Sequence, residues 1–540
     1  MSLKNNLNMK PINTKTGKIT TNANKATTDN KYTLWYIVIL SVTFLIAYAH
    51  IFDKKMDLNG DNFGYLNFAS SILNGKGYSS PYSPDYPATN WFPPGYSAIL
   101  SLLMLFFGDN IFLFKIVNGL FYLGGILLFF LLLKNVSKNV QLAFSVCFLI
   151  MLNSGLLRWA TIIMSEIPYL FFCILALYCL SKMEDDVKIF KSKYFWGVLL
   201  SAVAAYYLRG VGIVLAGAIV FFWLLEKKWK RIGAFIGGYA ILYLPWMIRN
   251  SVVGIKGRYL GAVLSVNNWR PEEGQINTVS GFLSKMLVNF YDTVIKGFTD
   301  VLFPFAHVDT LAKSTVIVLG GIILIVTLFG AWKTGKYRSL FTSYILGNML
   351  VFLLWHSGNG SRYVWPLMPF IAFCFFLGLY EVAVYIFNLS RKTVPKFLPY
   401  CFLILSFFMF LSLNEMHDFA AQDYPPAYKN YFDMAKTIKK QGNRNWVVAC
   451  RKADMFYYFS KTYVTMYTFS LDDREVIKGL VDSKVDFVVL DQLGYSSTYR
   501  YLYPAIMKNQ ELFQPVMHML NPDTYLLYFE KDKAKKKFNL

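Results

Sequence analysis

The sequence predicts a polytopic α-helical membrane protein that closes with a small α/β domain. Three observations lead there. Of its 540 residues, 55% are hydrophobic and only 16% charged, and the mean hydropathy is positive, whereas soluble globular chains carry about 25% charged residues. Apolar runs recur along residues 33–413, many of them close to the roughly twenty residues that a helix needs to cross the hydrocarbon core. Basic clusters sit in the short links between those runs, where such clusters set topology. This balance excludes an ordinary soluble enzyme and a disordered protein, and the chain has neither the Gly period nor the sustained heptads of a fibrous one. The topological links explain the formal charge of +22, so it implies no nucleic-acid partner. Cys147, Cys173, Cys179, Cys374 and Cys401 lie in apolar runs and only Cys450 outside them, which offers no disulfide framework.

Residues 1–32 are rich in Asn, Thr and Lys, with Asp29 the single acid, and read as a disordered, basic cytoplasmic tail. Residues 33–51 form the first span. Further apolar runs fall at 94–107, 111–133, 139–157, 166–181, 194–208, 210–225, 232–248, 314–332, 339–355, 363–387 and 397–413. The basic clusters follow at Lys134/Lys138, Lys188/Lys191/Lys193, Lys227/Lys228/Lys230/Arg231, Lys333/Lys336/Arg338 and Arg391/Lys392/Lys396. All of them face the cytoplasm only if the run 94–107 does not cross. That run is short for a span and reads as an interfacial or re-entrant helix. Eleven spans remain within 33–413, with the N-terminus inside and the C-terminus outside.

Loops 52–110 and 251–313 then face outward. In the second, Phe282, Met286, Phe290, Val294, Phe298 and Leu302 recur every four residues. They make one helical stripe that either lies on the membrane surface or packs on the protein's own core. Residues 414–540 change character. Helical stretches at 428–441 and 472–483 lead into the short apolar runs Trp446–Cys450 and Val485–Leu490, the alternation of a small extracytoplasmic α/β domain.

The candidate chemistry lies in the loops. Asp61 precedes a predicted helix over 62–73 that stops near Gly75, so it serves as N-cap, as a base, or as both. Pro93 and Pro94 then fix the turn into the short apolar helix. Ser165-Glu166-Ile167-Pro168 reads either as a capped helix start or as a second acidic site. Arg158, Arg209 and Arg362 stand at outer ends of spans. An arginine at the membrane border takes a partner, and its planar fork suits phosphate; snorkelling to lipid headgroups is the alternative. Arg209, in the very short link Tyr207–Gly210, is the first choice for a phosphate contact. His356 precedes Ser361-Arg362-Tyr363-Val364-Trp365-Pro366 and is either a metal ligand or a hydrogen-bonded structural residue.

The order of these features resembles the GT-C class of membrane glycosyltransferases, the group of lipid A aminoarabinose transferases and protein O-mannosyltransferases. The matching residues are Asp61, Tyr65 four positions on, Ala69, Gly75, Pro93-Pro94-Gly95-Tyr96, Glu166 outside the next helix pair, and Arg362-Tyr363 before Pro366. The resemblance covers residues 33–413 in layout. It implies a surface helix over 94–107 and Asp61 as the catalytic acid of the family. It also implies a polyprenyl-phosphate-linked sugar as donor and a hydroxyl-bearing lipid, protein or cell-wall glycan as acceptor, at a bacterial-type inner membrane. Many members carry an acidic pair where this chain has Asp61-Asn62, which puts a second acid or a metal at that spot in doubt.

One carboxylate near the anomeric carbon can deprotonate the acceptor and give inversion in a single displacement, whereas a retaining double displacement uses two. The leaving phosphate gains charge and needs cations or a divalent metal ion beside it. The expected site is thus Asp61 as base, Glu166 for acceptor orientation or metal binding, and Tyr65, Arg158, Arg209, Arg362 and Tyr363 for substrate. A transporter or flippase of a lipid-linked sugar is the main rival. It calls for ionisable or broken segments near the midplane, while the acids here lie in loops. A scaffolding protein whose outer domain binds a partner is the third reading.

Overall fold

A computed structural model describes residues 16–58, 60–254, 259–355, 360–387 and 395–540. The chain is largely helical. Helix α1 (Thr16–His50) holds the first apolar stretch, and it starts well inside the segment expected to be a disordered tail. The first long loop carries α2 (Asp61–Leu73) and α3 (Gly95–Phe107). The bundle continues through α4 (Ile111–Ser137), α5 (Val140–Met151), α6 (Ser154–Ala160), α7 (Glu166–Ser181), α8 (Lys193–Leu208), α9 (Ile213–Leu225) and α10 (Trp229–Val252). The second long loop holds α11 (Tyr259–Leu264), α12 (Val279–Asn289) and α13 (Gly297–Leu302). Helices α14 (Lys313–Trp332), α15 (Arg338–Leu354), α16 (Met368–Ile386) and α17 (Leu405–Ala421) complete the bundle. His356, Arg391 and Lys392 lie outside the described residues.

Among the described residues seven helical stretches are long and apolar enough to cross a membrane, and eight if the pair α5 and α6, bent by 66°, is one broken span. The bend corrects the expectation of a continuous span over 139–157. Asn153 causes it: its side chain caps α6 by accepting from Leu156 N at 3.0 Å and donates to the Val301 carbonyl at 2.8 Å. The expected eleven spans would also need α7, α8 and α9. Helices α7 and α8 have 16 residues each, about 24 Å at the helical rise, against a hydrocarbon core of about 30 Å. Helix α7 is buried almost all round. Helix α3, at 13 residues, spans about 20 Å. It buries Tyr96, Leu100 and Met104 and exposes Leu102, Leu105 and Phe106.

The four-residue stripe divides. Val294, Phe298 and Leu302 are buried in the main core, while Phe282, Met286 and Phe290 are half-buried. A strict spacing of four drifts by about 40° per step on an α-helix. A π-helical turn at Phe290–Lys296 between α12 and α13 interrupts the stripe where that drift accumulates.

Residues 426–529 build the small domain. Helix α18 (Pro426–Lys440) precedes β1 (Val447–Ala449), α19 (Ala453–Ser460), β2 (Tyr463–Thr465), α20 (Asp473–Asp482) and β3 (Phe487–Leu490). Strands β4 (Phe513–Met519) and β5 (Thr524–Phe529) follow. The sheet order is β2-β1-β3-β5-β4, with β1 parallel to β2 and β3, and β5 antiparallel to β3 and β4. One side of the sheet, with Tyr431, Phe432, Val448, Met455 and Phe456, joins the same core as the helical bundle. The other packs its own cluster around Ile477, Leu480, Val488 and Phe529. The domain is thereby docked on the end of the bundle where both long loops lie.

Candidate active site

Asp61 opens α2. The cap role is not the observed one: Gly60 occupies the N-cap position at φ 106° and brings no side chain to it. A positive φ is open to glycine and costs other residues. The Asp61 carboxylate instead accepts a hydrogen bond from Arg362 Nη2. Ser165, at the N-cap position of α7, likewise gives its helix no side-chain cap. Its hydroxyl pairs with Tyr65 OH at 3.0 Å and accepts from Arg209 Nη1 at 3.3 Å. Tertiary partners have taken both local capping groups.

Glu166 is the hub. Its Oε1 accepts from Arg209 Nη1 at 2.8 Å and from Arg362 Nε at 3.4 Å. Asp61, Arg362, Glu166 and Arg209 therefore form a chain of alternating charge whose formal sum is zero. The Glu166 side chain is 1% exposed and that of Asp61 32%, so the chain runs from a buried acid to an accessible one. Glu166 Oε2 is buried with no hydrogen-bond partner among the described residues, unusual for a charged oxygen. The Arg362 guanidinium also lies over the Trp159 ring at 5.8 Å. Tyr65 packs between Phe92 and Tyr96, which fixes α2 on α3. Asn118 ties the backbone before α7 into this frame: its amide donates to the Ile162 carbonyl at 2.6 Å and its oxygen accepts from Tyr96 OH at 3.2 Å.

Asp61, Tyr65, Glu166, Arg209 and Arg362 are thus brought together. Tyr363 adjoins them and accepts a hydrogen bond from Trp355 Nε1 at 2.9 Å. Arg158 is placed apart, with Nη2 3.5 Å from Asp57 Oδ2 and its guanidinium over Phe419 at 4.8 Å. Sequence reasoning missed Ser165 and Trp159 as site partners. It also passed over Lys115, buried near the start of α4, whose Nζ donates to the Asp53 and Lys55 carbonyls and so holds the loop before Asp61. A lysine in the apolar run of α4 was the signal available.

The two carboxylates of the site are already engaged by arginines. Among the described residues no three His, Cys, Asp or Glu side chains gather, and the Arg362 guanidinium already bridges the two acids. Two arginines converging beside an accessible carboxylate instead suit a phosphate next to a proton acceptor.

No protein-family model matches the chain, and no curated protein matches it in sequence. Among solved structures it is similar to ArnT from Cupriavidus metallidurans bound to undecaprenyl phosphate, with a TM-score of 0.57 at 12% identity over 91% of this chain and 98% of that one. The apo state of the same protein gives 0.56 at 12% over 93% and 98%. The arabinofuranosyltransferase AftD from Mycobacteria gives 0.47 at 14% over 92% of this chain and 40% of that one. At these identities the likeness is one of fold, and it extends over the helical bundle and the C-terminal domain together: the protein shares the fold of ArnT.

Proposed function

We propose that this protein is a glycosyltransferase that moves a sugar from a polyprenyl-phosphate donor to a hydroxyl of a lipid, protein or cell-wall glycan acceptor, with inversion. The reaction runs on the outer face of a bacterial-type inner membrane, with eleven spans, a cytoplasmic N-terminus and an extracytoplasmic C-terminal domain. The observation that carries the reading is the accessible Asp61 carboxylate held by Arg362, which Glu166 and Arg209 back from the buried side. The full-length likeness to a protein solved with undecaprenyl phosphate supports the donor class.

In this reading Glu166 positions the two arginines and does not touch the reacting atoms. The donor phosphate competes with Asp61 for the Arg362 fork and takes Arg209 as its second cation. That exchange frees Asp61 to accept the proton of the acceptor hydroxyl. The oxygen then attacks the anomeric carbon, and the bond to phosphate breaks as the guanidiniums stabilise the charge that collects there. Tyr363 lines the approach, Tyr65 supports the site from behind through Ser165, and Arg158 is left as a contact at the rim.

The test compares envelope glycans by mass spectrometry in an intact strain, a deletion strain and an Asp61→Asn strain at equal membrane abundance. Loss of the same single sugar in the last two is expected, a fall of about 10²–10⁴-fold in transfer for a lost general base. Full glycosylation in Asp61→Asn would remove the base from Asp61. Loss in the deletion alone would favour transport of the donor.

A further inference from the structure

The C-terminal sheet turns one end toward α2. From β1 the chain passes through α19 to β2 on one side, while β3 lies on the other. In open α/β sheets ligands bind in the crevice at the carboxyl ends of parallel strands, where neighbours lead off in opposite directions. Here that end carries Arg451 and Lys452 after β1 and Asp491 after β3. It adjoins the candidate base. A Cβ at Gly60 would stand 2.8 Å from Lys452 Nζ, and one at Gly64 would stand 3.6 Å from Asp454 Oδ2. Gly60 precedes Asp61 and Gly64 lies about one turn on, so the two glycines let an ammonium and a carboxylate approach the start of α2. The contact is fixed: Asn67 Nδ2 donates to the Asp454 carbonyl at 2.8 Å, and Val464 N donates to the Tyr82 carbonyl at 3.0 Å.

Lys452 and Asp454 are part-buried, and their charged ends stand against the start of α2 that carries Asp61. We propose that the C-terminal domain supplies the acceptor side of this site, with Lys452 and Asp454 holding the polar, hydroxyl-bearing end of the acceptor against Asp61. The inference rests on the glycosyltransferase reading. The charge at Asp454 also costs the fold. Burial pushes its carboxyl up to about 6; the Tyr82 hydrogen bond and the Lys452 charge oppose that shift, and the Asp61 charge adds to it. Cys450 faces it as well. An acid whose folded-state value is raised destabilises the protein as pH rises through that value. Raised carboxyls of this kind gather at functional sites, which fits a substrate contact.

The experiment uses the full-length protein with Asp454→Asn, Asp454→Glu and Lys452→Met, and undecaprenyl phosphate as the probe. Binding of the probe is expected to equal wild type in all three. Glycan product in the complemented deletion strain should fall about ten-fold or more for Asp454→Asn and Lys452→Met, the scale of a charge-assisted hydrogen bond, and recover in Asp454→Glu. The unfolding temperature of Asp454→Asn at neutral pH should be no lower than wild type, with any gain closing below about pH 6. Wild-type product in both neutral variants overturns the inference, as does loss of probe binding, which would place the residues on the donor side. An Asp454→Asn protein that loses product because it unfolds earlier overturns it too. If Asp61→Asn keeps full product and wild type binds no probe, the glycosyltransferase reading itself has failed.

Discussion

Two arginine–aspartate pairs stand at the loop end of the bundle, Arg362 with Asp61 and Arg158 with Asp57, and they differ in what stands behind them. Arg362 reaches a second, fully buried acid, and that acid holds a second arginine. Arg158 has one carboxylate at 3.5 Å and an aromatic face, and its side chain is 37% exposed. A border arginine on one distant partner is what anchoring at a membrane surface requires. A guanidinium shared between two acids, one of whose oxygens has no partner among the described residues, is an arrangement that a ligand can reorder. Burial and connectivity, not residue type, separate the two.

The sharpest way to break the comparison after Asp61→Asn is Glu166→Gln. It keeps the shape of the side chain and removes the charge that serves both Arg209 and Arg362. Stripping one partner from a buried ion network costs about 3–5 kcal/mol, so the unfolding temperature in detergent should fall along with transfer. An unchanged unfolding temperature would show that Glu166 does not hold the arginines in place.

Arg362→Lys comes next. A lysine preserves the charge, but one ammonium cannot reproduce a planar fork that meets Asp61 through Nη2 and Glu166 through Nε. Transfer should drop about ten- to a hundred-fold, the scale of a hydrogen bond between charged groups, with undecaprenyl phosphate binding weakened in parallel. A lysine variant with wild-type rate and binding would reduce Arg362 to a point charge.

The sequence displays the bundle because composition and charge act locally: apolar runs and basic links mark spans without knowledge of their neighbours. It hides the α5–α6 bend because the cap that Asn153 gives α6 is fixed by a carbonyl on a distant helix. Asp61 and Arg362 are 301 residues apart, and no spacing rule joins them; only the order of family motifs placed both on one list. The cap alternatives for Ser165 and Asp61 fall away for the same reason, since local propensity is overruled by partners from other helices. Lys452 and Asp454 gave no signal at all, because their meaning depends on the face by which the C-terminal sheet docks.

The smallest effect is expected from Arg158→Gln, and it tests the comparison from the weak side. Arg158 was grouped with Arg209 and Arg362 because all three end spans in the sequence. In the fold its charge sees Asp57 at the edge of hydrogen-bonding distance and shares a shallow pocket with Asp53, Thr161 and Phe419. An exposed pair of this kind contributes at most about 1 kcal/mol, so transfer should fall by no more than about five-fold. Because the guanidinium also covers Phe419, Arg158→Lys should recover less than a charge argument alone predicts. A loss as large as that of Arg362→Lys would mean that the bound substrate extends across Asp57, and the two pairs would then belong to a single site.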